Sequence, residues 1–461
     1  MDPRRRGDRC DPRLDDACAR AADAGPPQAG ADQRRDRERV RRRRRASSQS
    51  LMRALVISDT HFGAWTGEDL LRHDHELALL APHLDDIDEV IFLGDLFDFM
   101  FASVKDAVAA AGGLFDLLRE KLQGKRLVFL AGNHDHHLIV QEAEQLLGLE
   151  LATGETPERL GERVRHELWF RRLLEHRLEG VDIELRYPTY TFGEVLCTHG
   201  HYLDYHAHRR GSLPNRLLGG ALWSIATGGE RSATPSIEDY ESVITLLTEL
   251  LYTIAQLPHG TAAQRSVHGG MERAERVFGV AISPVQSAKR LAASLASRGQ
   301  DARGSASGSS RAATIDHYQR ARADEGERRA AREGPSGGGT AGYGAARVVR
   351  PSDPTGPALD AIDRVVENLG WTHDVDQIVF AHTHQPLADA RPSRGGRVRY
   401  WNTGSWIYEP DLGSHDAYIS YLEKAWPGTA VLIDTNESCP RLLQIRKHLS
   451  PLELEHAPIS A

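Results

Sequence analysis

The chain has 461 residues, of which 40% are hydrophobic and 26% are charged, a composition typical of a folded protein with a sizeable core. The formal net charge at pH 7 is −8, but the charge is unevenly distributed. Residues 1–50 hold 15 Arg and 9 acidic residues, whereas the rest of the chain holds 42 basic and 56 acidic residues. An acidic body argues against a broad DNA-binding surface, which needs a basic stripe to release counterions, so nucleic acid is disfavoured as a partner.

Cysteine usage and hydropathy indicate a cellular compartment. Cys10, Cys18, Cys197 and Cys439 show no CxxC spacing, which is typical of reduced thiols in the cytoplasm. No stretch reaches the ~18–20 apolar residues of a membrane span, and residues 1–50 lack the apolar segment of a secretory signal. We therefore expect a cytoplasmic protein without a transmembrane segment, while peripheral membrane contact stays open and the oligomeric state is not indicated.

Composition divides the chain into six segments. The Arg-rich start cannot bury a core and is expected to be disordered, and its run Arg41–Arg45 favours a solvated tail over a nucleic-acid contact or a targeting address. Translation could instead begin at Met52, directly before the first predicted strand. The expected segments are a tail at 1–51, the first part of a folded core at 52–211, a helical insert or cap at 212–300, a Gly-, Ser- and Ala-rich linker at 301–350, the second part of the core at 351–450 and a tail at 451–461.

Short apolar runs that end in polar residues recur along the chain, and each predicts a buried strand. The five runs are 54–58, 90–93, 127–130, 195–197 and 378–380. Helical patterns at about 67–84 and 103–122 separate the early strands, and another at 357–369 precedes the last strand. Strands that alternate with helices indicate a layered α/β fold, in which ligands bind beyond the carboxyl ends of the strands.

Later segments are interpreted from the same patterns. The insert carries an apolar stripe at helical spacing, which predicts packing, with a lip for an apolar substrate as the alternative. The stripe consists of Val243, Leu246, Leu247, Leu250, Leu251, Ile254 and Leu257. A helix at 314–333 is predicted inside the linker, and apolar stretches near 397–402, 416–422 and 429–433 are predicted to belong to a second sheet.

Each of the five predicted strands leads into Asp, His or Asn, which are residue types that bind metal ions. A spacing of two lets Asp59 and His61 point the same way, and Gly94 permits a tight turn beside Asp95. The remaining candidates are Asn133 within Asn133-His134-Asp135, His199, and the pair His382 and His384. One such strand end would mean little, but five in a row indicate a metal site.

The order Asp-x-His, Gly-Asp-x-x-Asp, Gly-Asn-His-Asp, a lone His and His-x-His resembles the calcineurin-like metallophosphoesterase superfamily. The motifs lie between residues 59 and 405, and one departure, Ala381 where the family often has Gly, touches no ligand. The resemblance implies an α/β fold built as a four-layer α/β/β/α sandwich with residues 212–300 as a helical cap. It also implies a metal-dependent phosphoric ester hydrolase.

Two divalent metal ions are implied by the resemblance, with manganese expected first and iron, zinc, nickel or magnesium as alternatives. One ion would be held by Asp59, His61 and His384, the other by Asn133, His199 and His382, and Asp95 would bridge the two. Such ions lower the pKa of a bound water from ~15.7 toward ~7, so a bridging hydroxide would attack phosphorus.

His134 and Asp98 are the implied catalytic pair. The matching His of the family protonates the leaving oxygen or stabilises its charge, and a His of near-neutral pKa suits that role. Asp98 resembles the carboxylate that orients this His. The alternatives are a structural role for His134 behind the metal ligands and an ordinary loop cap for Asp98.

The loops after two strands leave alternatives open. His201 competes with His199 as the metal ligand, and His199 is favoured because it lies nearer the strand end. Arg209 and Arg210 could contact a substrate phosphate or be ordinary polar loop residues. The loop Asn402–Trp406 either lines the site or forms a structural turn.

Within the superfamily, the layout resembles the branch of the UDP-2,3-diacylglucosamine pyrophosphatases. Those enzymes typically have Arg at the position of His134, so the lipid substrate is not transferred. The expected substrate is a phosphorylated small molecule or a lipid-linked one, and monoester, diester and pyrophosphate all stay open. The alternatives are a nuclease of the same superfamily and a binding module that kept the fold without catalysis.

Overall fold

The computed structural model describes residues 52–64, 67–207, 234–257, 357–373, 375–392, 396–410, 412 and 414–454. The predicted tail at 1–51, the linker at 301–350 with its helix at 314–333, and most of the insert lie outside these residues. Arg209 and Arg210 also lie outside them.

Eleven strands in the described residues form two sheets. They are β1 (Arg53–Ile57), β2 (Glu89–Leu93), β3 (Arg126–Leu130), β4 (Asp182–Arg186), β5 (Thr189–Phe192), β6 (Val195–Thr198), β7 (Gln377–Phe380), β8 (Leu387–Ala390), β9 (Arg399–Asn402), β10 (Thr429–Asp434) and β11 (Arg441–Gln444). The six-stranded sheet has the order β11-β10-β1-β2-β3-β4, and the five-stranded sheet has the order β5-β6-β7-β9-β8. Strands β1 to β4 are parallel to one another, as are β6, β7 and β9, so their carboxyl ends lie at one edge of each sheet.

The helices of the described residues lie between these strands and after the last one. They are α1 (Asp74–Leu80), α2 (Val104–Ala110), α3 (Gly112–Lys121), α4 (His137–Thr153), α5 (Pro157–Glu167), α6 (Trp169–Arg177), α7 (Asp204–Ala207), α8 (Ile237–Ala255), α9 (Pro357–Asn368), α10 (His415–Lys424) and α11 (Pro451–Leu454). Serine starts three of them, because Ser103, Ser236 and Ser414 each accept a hydrogen bond from a backbone N–H of the first turn. No helix in the described part of the chain combines the length and the apolar run that crossing a membrane requires.

Side chains of the six-stranded sheet alternate between two hydrophobic layers, as the period of a strand requires. Leu55 and Ile57 of β1 pack on one face with helix residues such as Leu114. Ala54 and Val56 pack on the other face, against the five-stranded sheet. That inter-sheet layer includes Val195, Cys197, Val379 and Trp401.

The five-stranded sheet buries its second face under helix α9. Ile378 and Phe380 of β7 and Tyr400 of β9 pack there with Ile362 and Val365 of α9. The layers therefore run helix, sheet, sheet, helix. This arrangement confirms the predicted α/β/β/α sandwich.

The five predicted strands are all present, and so are the helical patterns at 67–84, 103–122 and 357–369 within a few residues. Two of the three later predictions are wrong. The stretch 416–422 lies in helix α10, where Tyr418, Tyr421 and Leu422 are buried at helical spacing. The stretch 429–433 is a strand, but β10 pairs with β1 in the six-stranded sheet rather than in the second sheet.

The described part of the insert contains helix α8, whose apolar stripe is only partly used for packing. Leu251 is buried, but Leu246 and Leu250 are 41% and 57% exposed. The fully buried positions of α8 include Tyr240 and Thr248, which the stripe did not contain. Leu251 thus meets the packing prediction, whereas Leu246 and Leu250 do not.

Burial of Ile362 predicts a measurable contribution to the free energy of unfolding. Ile362→Ala should lower that free energy by about 2–5 kcal/mol, because it removes buried methylene groups and leaves a cavity under the five-stranded sheet. Leu151→Ala is the control, since Leu151 is 79% exposed, and it should change the free energy by less than ~0.5 kcal/mol. Urea denaturation measures both, and equal midpoints for the two variants would contradict the packing of α9.

Candidate metal centre

The loops after five strands meet at the carboxyl edges of the two sheets. Backbone hydrogen bonds join the loops after β1 and β2, because the N–H groups of Thr60 and His61 both donate to Asp95 O over 3.0 Å. Ala381 N donates to His199 O over 3.0 Å and joins the loops after β6 and β7. Trp406 N donates to the carbonyl of Asp59 over 2.9 Å, which links the two sheets at this edge. All seven predicted metal ligands follow these strands.

Asp59, His61 and His384 form one group of potential ligands, whose ligand atoms lie within 4.8 Å of one another. His384 Nε2 lies 3.3 Å from Asp59 Oδ1 and 3.1 Å from His61 Nε2. His61 Nε2 lies 3.9 Å from Asp59 Oδ1. Two imidazole nitrogens and a carboxylate oxygen thus converge on one point.

Asp95, His199 and His382 form a second group, also within 4.8 Å. His199 Nε2 lies 3.3 Å from Asp95 Oδ2 and 3.2 Å from Asn133 Oδ1. The amide oxygen of Asn133 therefore faces the same point as the imidazole of His199. His199, His382 and Asp95 are all buried.

The Asp95 carboxylate faces both groups. Its Oδ2 lies 3.8 Å from His61 Nε2 of the first group and 3.3 Å from His199 Nε2 of the second. Its Oδ1 accepts a hydrogen bond from the backbone N–H of His134 over 2.8 Å. One buried oxygen atom is thus placed between the two sets of nitrogen ligands.

Two glycines make room for this arrangement. A Cβ atom on Gly132 would lie 2.1 Å from Asp95 Oδ1, and one on Gly94 would lie 2.5 Å from His199 Nδ1. Gly94 also has a φ of +83°, a conformation that other residues rarely adopt. The sequence prediction that Gly94 permits a tight turn beside Asp95 is confirmed.

The strand ends carry backbone strain at the potential ligands. Six non-glycine residues in the described part of the chain have positive φ, and five of them are predicted ligands. These are Asp59 (50°), His61 (48°), Asp95 (53°), His382 (70°) and His384 (55°). Each such residue costs roughly 1–2 kcal/mol relative to ordinary backbone, and strain of this kind collects at functional sites.

Hydrogen bonds around the groups fix the orientation of the potential ligands. His199 Nδ1 donates to the carbonyl of Leu93 over 2.7 Å, which leaves Nε2 as the nitrogen with a free lone pair. His384 Nδ1 lies 3.5 Å from the carboxylate of Glu409, and the backbone N–H of His382 donates to Asp59 Oδ2 over 3.3 Å. These partners help to turn His199 Nε2, His384 Nε2 and Asp59 Oδ1 toward the two groups.

The residues present fit divalent metal ions. Asp59 is fully buried, and its Oδ1 has no hydrogen-bond partner among the described residues, although a buried carboxylate oxygen is costly without one. Imidazole, carboxylate and amide donors together suit manganese, iron, zinc or nickel. Both groups therefore could hold a metal ion.

His134 and Asp98 form a hydrogen-bonded pair beside the first group. His134 Nδ1 donates to Asp98 Oδ1 over 2.7 Å, and the His134 ring lies edge-on to His61 with 4.5 Å between ring centroids. Burial lowers the pKa of His134, but the negative charges of Asp95 and Asp98 raise it by more, so that the pKa is about 9. His61, Asp98 and His134 also lie close enough to count as a third potential ligand group, which shares His61 with the first.

Other predicted residues lie around rather than in these groups. His201 is buried and its Nε2 lies 3.2 Å from the Tyr187 hydroxyl, and it is not a member of any of the three groups. Asp204 belongs to the polar cluster after His199, which the sequence interprets as substrate contacts or as ordinary loop residues, and its Oδ2 lies 3.0 Å from His382 Nε2. Arg209 and Arg210 lie outside the described residues, and their substrate contact stays a prediction.

The loop Asn402–Trp406 supports the ligand loops from behind. Asn402 Nδ2 donates to Ala381 O over 2.8 Å, directly before His382. The Thr403 hydroxyl lies 2.5 Å from the Ser58 hydroxyl, which in turn donates to Asp59 Oδ2 over 2.5 Å. The loop Asn402–Trp406 therefore contacts both the segment before His382 and the segment before Asp59.

Sequence reasoning missed three residues of the surroundings. Ser58 and Glu409 contact Asp59 and His384, and Asp135 accepts hydrogen bonds from the N–H groups of Leu96 and Gly132 over 2.9 and 2.6 Å. Asp135 could have been found, since it belongs to the Gly-Asn-His-Asp motif. The contact of Glu409 has no local sequence signal.

Comparison with known families identifies the domain. Residues 52–235 match the family model of the calcineurin-like phosphoesterases, so this part of the chain is a domain of that family. The predicted superfamily is confirmed, and a domain of this family implies metal-dependent hydrolysis of a phosphorylated substrate. No curated protein matches the chain. The narrower likeness to the UDP-2,3-diacylglucosamine pyrophosphatases stays a prediction.

The close approach of Gly132 to Asp95 predicts a defect in metal content. Gly132→Ala should displace the Asp95 carboxylate and lower the metal content of the purified protein, because the added Cβ would lie 2.1 Å from Asp95 Oδ1. Gly148→Ala on α4 is the matched control, since nothing lies within 4 Å of its added Cβ. Plasma mass spectrometry measures the metal, and circular dichroism verifies folding. Wild-type metal content in folded Gly132→Ala would contradict the geometry of the shared carboxylate.

Proposed function

We propose that the chain is a dinuclear-metal-dependent phosphoesterase that hydrolyses a phosphate ester or anhydride. The observation that carries this proposal is the buried carboxylate of Asp95, whose Oδ2 lies within 3.8 Å of His61 Nε2 and 3.3 Å of His199 Nε2. A carboxylate between two sets of imidazole ligands suits two ions better than one. The calcineurin-like phosphoesterase domain at residues 52–235 gives the reaction class.

The proposed ligand sets follow the two groups. One ion would be held by Asp59, His61 and His384, the other by Asn133, His199 and His382, with Asp95 between them. The convergence of the first three ligand atoms and the 3.2 Å separation of Asn133 Oδ1 and His199 Nε2 support these sets. Manganese is the proposed native ion, and iron, zinc, nickel and magnesium are compatible with the same donors.

The domain organisation is proposed to place one catalytic core in two parts of the chain, at 52–211 and 351–450. His382 and His384 lie beyond the matched family segment, yet they contact Asp204 and Asp59 of the first part. We propose that the segments at 212–300 and 301–350 are an insert and a linker between the two parts, and that the protein acts in the cytoplasm.

Two divalent ions at this site would supply the attacking hydroxide and neutralise charge on the phosphoryl group, since metal binding lowers the pKa of water from ~15.7 to ~7. The protein would orient the phosphoryl group through the positions of the candidate metal ligands. Buried hydrogen bonds fix the positions of these side chains. Carboxylate, amide and imidazole groups are set before substrate binds. Such preorganisation lowers the reorganisation needed in the transition state.

His134 is proposed to donate a proton to the leaving oxygen. Its Nδ1 is engaged by Asp98, which leaves Nε2 as the nitrogen that can donate to the substrate. A pKa of about 9 keeps the imidazole protonated at neutral pH. Burial disfavours the protonated form, but the negative charges of Asp95 and Asp98 favour it more strongly. Divalent ions at this site would oppose this rise in pKa, because their positive charge disfavours the protonated imidazole.

The two alternatives have less support. A nuclease would need a basic surface for the phosphate backbone, and the acidic composition of residues 51–461 disfavours it. A binding module without catalysis would not need the Asp98–His134 pair beside a complete set of ligands. A small-molecule or lipid-linked phosphorylated substrate is therefore the proposed class.

Hydrolysis of p-nitrophenyl phosphate and bis-p-nitrophenyl phosphate with added Mn²⁺ tests the proposal. Asp95→Asn should lower kcat/KM by at least about 10³-fold, because one change disturbs both ions and the nucleophile they supply. Asp116→Asn is the control, since Asp116 is an exposed carboxylate of α3 paired with Arg119, and it should retain wild-type activity. Metal-loaded wild type that hydrolyses neither compound, nor a pyrophosphate, would contradict the proposal.

A leaving-group series distinguishes the proposed role of His134 from a structural one. His134→Ala should lower kcat by about 10²–10⁴-fold for phenyl phosphate, whose leaving oxygen needs a proton, and by much less for p-nitrophenyl phosphate. Asp98→Asn should show the same trend with a smaller loss, because it acts only through His134. Equal losses for both leaving groups would instead indicate that His134 only supports the metal ligands.

A further inference from the structure

Helix α8 lies against the two loops that carry Asn133 and His199. Its sequence pattern was interpreted as a packing element of the insert, with a lip for an apolar substrate as the alternative. Its polar residues nevertheless make contacts beside the candidate metal centre, and one of them, Glu241, contacts both loops. These contacts are the basis of an inference that depends on the proposed two-metal function.

The first loop contacts Glu241 through His136, which lies three residues after Asn133. His136 Nε2 donates to Glu241 Oε2 over 2.6 Å, and the Thr248 hydroxyl of α8 lies 3.5 Å from His136 Nδ1. His136 is 1% exposed, and both of its ring nitrogens face residues of α8. Helix α8 therefore fixes the side chain that follows the Asn133–Asp135 segment.

The second loop contacts the other oxygen of the same carboxylate. Glu241 Oε1 accepts hydrogen bonds from the hydroxyl groups of Tyr187 and Tyr202. Tyr202 lies three residues after His199 and is buried. Tyr187 lies outside this loop, between β4 and β5, and its hydroxyl lies 3.2 Å from His201 Nε2 of the loop.

One carboxylate thus connects the two loops from which Asn133 and His199 project. Asn133 Oδ1 and His199 Nε2 lie 3.2 Å apart and belong to the same proposed ligand set. We propose that Glu241 is a positioning residue that holds Asn133 and His199 at the separation needed to bind the second metal ion. Glu241 acts through His136 and Tyr202 and does not itself touch the ion.

Glu249 provides a matched comparison on the same helix. Glu249 Oε2 accepts a hydrogen bond from His137 Nδ1 over 2.7 Å, and the His137 ring stacks on Tyr252 with 3.5 Å between centroids. Both glutamates are therefore partly buried and bind a histidine at the start of α4. The two glutamates differ in one respect. The Glu241 carboxylate also accepts a hydrogen bond from Tyr202 in the loop after β6, and Glu249 has no such contact among the described residues.

Calorimetric titration of Mn²⁺ into the full-length protein, after a chelator has removed its metal, tests this role. Glu241→Ala should weaken one of the two binding steps by about 10–100-fold, the usual effect of losing a residue that orients metal ligands, and leave the other unchanged. The weakened step, called the second step here, is that of the ion held by Asn133 and His199. Glu241→Gln should restore part of the affinity, because its amide oxygen still accepts from both tyrosines. Glu249→Ala should bind both ions as the wild type does.

The possible outcomes separate this inference from the proposed function. Wild-type protein that binds fewer than two ions would overturn the two-metal proposal and this inference with it. Two wild-type binding steps that Glu241→Ala leaves unchanged, or that Glu249→Ala weakens equally, would overturn the inference alone. If circular dichroism finds Glu241→Ala unfolded, Tyr202→Phe and Glu241→Gln replace it, and wild-type second-step affinity in both would overturn the positioning role.

Discussion

The arrangement of the site depends on one buried carboxylate, that of Asp95, which lies between two sets of imidazole nitrogens. Burial alone would raise the pKa of Asp95, but the neighbouring histidines, His199 first, lower it well below its usual range. The carboxylate is therefore ionised and needs positive charge or hydrogen-bond donors around it. His134 N supplies one donor on Oδ1, and Oδ2 faces the potential metal ligands His61 and His199.

The architecture meets this constraint by bringing two sheets to a common edge. Strands β1 and β2 deliver Asp59, His61 and Asp95, whereas β6 and β7 of the other sheet deliver His199 and His382. The chain between His199 and His382 is long, yet the entropic cost of closing a loop grows only with the logarithm of its length, by about 0.6 kcal/mol per doubling. A long insertion between the two halves is thus compatible with a precisely assembled centre.

Local patterns located the strand ends that carry the candidate ligands, whereas contacts between distant segments were not predictable. The runs before Asp59, Asp95 and Asn133 are buried on both faces, so a short apolar run followed by a polar residue located each strand end. The same criterion could not assign β10 to a sheet, because its pairing with β1 joins segments nearly 380 residues apart. At 416–422 a short apolar run was compatible with either a strand or a helix, and the Ser414 cap decided for the helix.

Several side chains that the sequence did not assign, Ser58, Asp135 and Glu241, connect the loops that carry the candidate ligands. The candidate ligands at strand ends project from loops that only a few backbone hydrogen bonds join, and five of them occupy strained left-handed backbone. Side chains therefore connect the loops in pairs: Asp135 joins those after β2 and β3, Ser58 with Thr403 joins those after β1 and β9, and Glu241 joins those after β3 and β6. The Gly-Asn-His-Asp motif contains Asp135, but each connection joins segments remote in sequence, so neither periodicity nor motif spacing encodes the partners that these side chains contact. Glu241 differs from the others because it lies on α8, within the segment predicted to be an insert, so under the proposal above this helix would help to hold the candidate metal ligands in place.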